Sequence, residues 1–213
     1  MNDLRTDAIN VSLVKTLSSS RLKKYLESCN ADLHVALGSY ERNTRLSEAF
    51  YTPLQCVEIC LRNTIHQRMS DLYGSDWMTN EAPPLSGMSK SMVKQALEEL
   101  QKNSDWPSND AIVSELKFAF WVGLLGPGYD GTLWRKTLHV GFALGGGKKR
   151  KTVHARFNLI RRFRNRVAHH EPIFQKDLIA VHKEIIEAIA WMCADTAAWA
   201  THVSRLPSVH ADA

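Results

Sequence analysis

The chain has 213 residues, 44% of them hydrophobic, enough to bury one substantial core as a single large domain or two small ones. Its 27 Lys and Arg against 22 Asp and Glu give a net charge of +5, which suits a polyanionic partner without requiring one. No apolar run approaches the roughly 18 to 20 residues of a membrane span, and Met1 to Asp7 lack the charged-then-apolar pattern of a secretion signal. A soluble cytoplasmic protein with no membrane partner is therefore expected. The four cysteines are too scattered for a disulfide framework. Cys29 and Cys193 stand alone, while Cys56 and Cys60 share one helix face and read as core.

Apolar residues recur at intervals of three and four rather than two, so the fold class is all-α. A first helix is expected over about Ser20 to Ser28, and Asp32 should open a longer one bearing Leu33, Leu37, Tyr40 and Leu46. Thr52, Pro53 and Gln55 read as a capped start for a helix from about Pro53 to Leu72, with a kinked continuation of the preceding helix as the alternative. Gly74 to Met88, with two adjacent prolines, reads as a loop. Ser89 to Lys102 should be helical with Val93, Ala96, Leu97 and Leu100 inward. Asn109 or Asp110 then caps a buried helix through Leu116, Phe120 and Leu124, stopped by Gly126, Pro127 and Gly128. Tyr129 to Leu144 is irregular, with a short helix around Leu133 to Leu138, and Gly145 to Gly147 form a flexible tip. Two helices close the chain, from about Thr152 to Ala168 and from about Phe174 to Thr201. The second carries Leu178, Val181, Ile185, Ala188, Met192 and Trp199 as a core stripe. A polar tail from about Ser204 should fray. Residues 1–30 thus form an N-terminal helical extension, 31–202 one helical domain and 203–213 a short tail.

From Lys148 to Arg166 the chain holds nine cations and no carboxylate: Lys148, Lys149, Arg150, Lys151, Arg156, Arg161, Arg162, Arg164 and Arg166. A glycine tip leading into such a run can track a phosphate backbone, although a solvated basic face gives the same sequence. Arg164 differs from the others because Val153, Phe157, Ile160, Arg164 and Val167 fall at steps of four, three, four and three. That spacing predicts an inward guanidinium, which needs a counter-charge or a ligand. Glu58 is the candidate counter-charge, with Arg62 one turn along its helix, so a plain internal Glu-Arg pair is the structural alternative. His169 stands five residues beyond Arg164, about 140° around an unbroken helix. Pro172 ends the helix and lets the imidazole of His169 fold back toward Arg164. A histidine at a helix end also acts as a simple cap.

The string Arg164, Asn165, Arg166, Val167, Ala168, His169 resembles the Arg-(four residues)-His signature of the HEPN superfamily of helical nucleotide-binding and ribonuclease domains. Its continuation through His170, Glu171, Pro172 and Ile173 is similar to the Abi-like (abortive infection) branch, as are the blocks Glu58 to Asn63 and Glu115 to Val122. The resemblance spans roughly Leu33 to Trp191. It implies an HEPN-like helical bundle with additional N-terminal and middle helices, a homodimer that brings two Arg/His sites near one another, and metal-independent RNA cleavage. The resemblance further implies a role in phage defence or a toxin-antitoxin system, with an antitoxin or phage-derived regulator as a possible partner. Some members of the superfamily have lost activity.

The residue types suit that chemistry. RNA carries its own nucleophile in the 2′-OH, so a cleaving site needs a base for that proton and a cation for the crowded phosphate. His169 fits the first role and Arg164 the second, with Asn165 orienting either. His170, Glu58 and Arg62 are supporting candidates. Lys148, Lys149, Arg150, Lys151, Arg161, Arg162 and Arg166 are the expected RNA contacts. No cofactor or metal is called for. A metal set of His169, His170 and Glu171 is disfavoured, because adjacent histidines point apart. The competing reading is a binding module of the same fold that holds RNA or a nucleotide without cutting it.

Overall fold

The computed structural model describes residues 5–102, 106–144 and 146–212, and its regular structure is entirely helical. Gly145, in the glycine tip, lies outside the described residues. Among those described, no helix is long and apolar enough to cross a membrane.

The chain opens with a helix absent from the sequence expectation, α1 (Asp7–Leu17), followed by α2 (Ser19–Ser28). Asp32 caps α3 (Leu33–Ala49) by accepting from the Val35 amide. The next helix, α4 (Tyr51–Tyr73), begins only one residue later. Phe50 between them keeps right-handed helical angles, and no side chain caps α4. The capping box at Thr52 and Gln55 does not form, and the kinked continuation describes the junction better. Leu54 still donates to the Phe50 carbonyl, whereas Pro53 in the first turn needs no partner for the amide hydrogen it lacks.

Ser86 caps α5 (Gly87–Gln101), and Ser108 rather than Asn109 or Asp110 caps α6 (Asn109–Glu115). The buried helix expected through Leu124 is broken. Leu116 and Lys117 are extended, and α7 (Phe118–Gly123) starts afresh. The Trp121 indole donates to the Leu116 carbonyl at 3.2 Å, satisfying a buried acceptor that a continuous helix would have used. Residues 127–142 run as short 3-10 and π turns.

The last two expected helices become three, and the tail adds a fourth. α8 (Arg150–Ala168) matches its expectation closely. The following one divides at Cys193 into α9 (Leu178–Ala190) and α10 (Ala194–Val203), because Cys193 is extended and its sulfur caps α10 by accepting from the Thr196 amide and hydroxyl. The tail folds as α11 (Leu206–Ala211) instead of fraying, with Leu206 fully buried.

The main core forms around α4, which packs on α7, α9 and α10, with Leu61, Ile65, Met69, Trp77, Trp121 and Phe157 inaccessible to solvent. Cys56 is buried within it, and burial pushes the Cys60 thiol up to about 11, in keeping with a core role for both. A smaller core joins α1, α2 and α3 around Leu22, Tyr25, Ala36 and Leu37, and Phe174 from the chain after α8 packs into it. The end of α8 therefore lies beside both cores.

Candidate functional site

Val153, Phe157 and Ile160 are buried along α8, as the spacing requires. Arg164 shares their azimuth, but at its level that azimuth faces a cavity, and the packed side chain is Phe163, which meets Phe50 edge-on with ring centroids 4.7 Å apart. The inward guanidinium is thus corrected to a wall residue whose side chain is 41% exposed, with Nε 3.4 Å from Oε2 of Glu58. Glu58 turns to Arg164 and makes no ion pair with Arg62, whose Nε is buried with no hydrogen-bond partner among the described residues.

The cavity encloses about 590 Å³, enough for a nucleotide-sized group. Thr44, Ser47 and Glu48 line it from α3, while Tyr51, Leu54, Gln55, Glu58, Ile59 and Arg62 do so from α4. Arg164, Val167, Ala168 and His170 close it from the end of α8. Its lining is mostly apolar, with two guanidinium groups and two carboxylates among the polar side chains. Ser47 Oγ is a second polar wall atom that is buried with no hydrogen-bond partner among the described residues. Tyr51 stands 67% exposed at the mouth, an aromatic face open to a flat ligand.

The end of α8 decides which histidine joins this cavity. His170 donates from its amide to the Val167 carbonyl and Glu171 to the Arg166 carbonyl, at 3.0 and 2.8 Å. These are the two bonds of a Schellman closure, with His170 in the left-handed position at φ 55° that glycine usually fills. A side chain there costs of order 1 kcal/mol. Arg166 locks the turn through the Pro172 carbonyl at 2.6 Å and the Glu171 carboxylate at 3.2 Å. The left-handed residue swings its side chain off the helix path, and His170 lines the cavity. His169 is exposed and, like Asn165, does not line it. Both histidines are exposed, and it is His170, not the expected His169, that shares the cavity wall with Arg164.

The basic run also divides. Arg150 is 14% exposed, holding Asp130 at 3.1 Å and the Leu125 carbonyl at 2.9 Å, and Arg156 holds the Glu184 carbonyl and Glu187. Arg161 donates twice to the Asn158 side chain. Lys148 and Arg156 lie over the Trp191 ring. Arg150 and Arg166 thereby anchor the local structure. Lys149, Lys151 and Arg162 are exposed and make no ion pair among the described residues.

Sequence reasoning missed Ser47, Tyr51 and Leu54 in this site. Tyr51, Gln55, Glu58 and Arg62 fall at steps of four, three and four, so extending the Glu58 face one turn back would have found Tyr51. Among the described residues, no group of three or more His, Cys, Asp or Glu side chains is arranged to hold a metal ion. Comparison with protein-family models, with curated proteins and with solved structures finds no match.

Proposed function

We propose that this protein is a metal-independent endoribonuclease of the HEPN type, cutting RNA by attack of a 2′-OH on the adjacent phosphate. The observation that carries the reading is the shared cavity, where a guanidinium on α8, a second on α4 and an imidazole at the helix end face one nucleotide-sized space. In this scheme the scissile phosphate displaces Glu58 from Arg164, whose planar fork then holds two phosphate oxygens. His170 takes the 2′-OH proton as the 2′-oxygen bonds to phosphorus. The bond from phosphorus to the 5′-oxygen breaks, the departing oxygen takes a proton from water, and a 2′,3′-cyclic phosphate and a 5′-OH result. Tyr51 offers a stacking face to a base beside the scissile bond.

Exposed Ile59 and Trp199, on adjoining α4 and α10, support seating a second copy against this face, which would make the cavity part of a homodimer. Phage defence or toxin-antitoxin action, with RNA as substrate and an antitoxin or phage product as regulator, rests on the sequence resemblance.

Purified protein incubated with assorted RNAs in EDTA should yield fragments ending in cyclic phosphate. A second reading, binding without cleavage, draws on the ion pair that already engages Arg164 and on the placement of His169 outside the cavity. RNA retained intact by the wild-type protein would select it.

A further inference from the structure

The turn that aims His170 is held from outside α8. NH1 of Arg21, on α2, donates to the carbonyls of both His169 and His170, at 3.0 and 2.9 Å, across 148 and 149 residues of chain. These two acceptors lie beyond the Schellman closure and have no helical donor to receive. One turn along α2, Tyr25 packs its ring 5.2 Å from that of Phe174, fixing the chain that leaves the turn. Between them, the Ile173 amide donates at 2.7 Å to Oδ1 of Asn43, which is almost wholly buried. Residues 169–174 are therefore seated on α2 and α3 as well as on the helix they terminate.

From this geometry we infer that Arg21 is a positioning residue for the imidazole of His170. A non-glycine residue keeps a left-handed backbone only where its surroundings over-determine it. Removing the Schellman bonds would unwind α8 itself, whereas removing Arg21 leaves those bonds able to form but lets the turn open more often. An arginine suits the task because two hydrogens on one nitrogen reach the two adjacent carbonyls, and because its charge persists at any working pH. The N-terminal helices are on this view part of the site: they set the direction of a group that α8 and Pro172 merely bring near. The catalytic half of the inference rests on the proposed nuclease reading, whereas the structural half does not.

The test uses the full chain with Arg21→Ala and Arg21→Lys, reading amide exchange at His170 and Glu171, melting temperature and RNA cleavage in EDTA. Arg21→Ala should exchange about tenfold faster at those two amides, and kcat should fall about tenfold with KM within about twofold. Arg21→Lys should recover part of both, since an ammonium reaches the carbonyls with less fixed geometry. Unchanged exchange and unchanged kcat in Arg21→Ala would overturn the assignment. So would a large drop in melting temperature with kcat and KM moving together in both variants, which would make Arg21 a general fold contact. If exchange rises as expected but the wild-type protein cleaves no RNA, the clamp on the turn stands and the nuclease reading falls.

Discussion

Replacing Arg164 with Ala separates a site residue from a structural one. Its partner Glu58 is 3.4 Å away, and the two side chains are 41% and 26% exposed, so solvent screens the pair and limits its worth to roughly 0.2 to 1 kcal/mol. Leaving the Glu58 carboxylate half-buried without its partner adds about 1 kcal/mol. For a chain of this size each kcal/mol moves the melting temperature by about 2 to 4 °C, so Arg164→Ala should melt no more than about 8 °C below the wild type. Cleavage should respond far more strongly. Losing one preorganised donor to a developing phosphate charge typically lowers kcat by about 10² to 10³. A fluorogenic RNA in EDTA, read beside thermal melting, measures both quantities. Arg164→Lys should fall between the two, since it keeps the charge and loses the fork. Glu58→Gln should cleave at least as well as the wild type at low substrate, because phosphate no longer competes with a carboxylate. A variant lacking Arg164 that cleaves within about threefold of the wild type, or that melts more than about 10 °C lower, would refute the reasoning.

His170→Gly should melt as high as the wild type or about 2 to 4 °C higher, because the left-handed position suits glycine and the relieved strain outweighs its entropy cost. A clear fall would mean that the imidazole contributes packing beyond its backbone position. Neutralising Lys149, Lys151 and Arg162 together should weaken RNA binding across sequences and flatten its salt dependence by about 0.7 for each phosphate no longer neutralised, as measured by titration at several salt concentrations. An unaltered slope would return those residues to a solvated face. Arg150→Gln should instead lower the melting temperature, since it removes the ion pair with Asp130 and the bond to the Leu125 carbonyl. Burial holds the imidazoles of His66, His154 and His182 below their ordinary value of 6.5, and the Trp77 indole donates to Nδ1 of His66 at 3.1 Å, which requires that nitrogen unprotonated. The unfolded chain therefore binds protons more readily, so stability is full above about pH 6.5 and declines as pH falls. Melting curves from pH 7.5 to 5 should show this, with Trp77 fluorescence changing in step and His66→Gln reducing the slope.

Helix α8 was legible because its periodicity, basic run and Pro172 all agree, and Asp32 announced α3 through simple capping chemistry. Four features were not. The break at Leu116 depends on an indole five residues ahead reaching back to a carbonyl, and the break at Cys193 on a sulfur acting as a cap, neither of which disturbs apolar spacing. The azimuth of Arg164 follows from spacing, but whether that azimuth meets packed core or open cavity depends on where α3 bends into α4. Phe50 carries that bend with helical angles, and Pro53 marks the junction in the sequence without setting the direction of the bend. The choice between the two histidines turns on a single left-handed residue. Pro172 signals the end of the helix, but nothing local signals that a non-glycine at His170 occupies the closing position, since Arg21 and Asn43, far away in the chain, hold the turn there.

Cleavage of RNA in EDTA by the wild-type protein, His170→Ala and His169→Ala, followed at equal folded concentration, tests the central geometry most directly. Fragment formation should vanish with the first substitution and persist with the second. Equal rates from all three proteins would contradict any role for the imidazole facing Arg164, and loss only in His169→Ala would place the reacting phosphate outside the cavity.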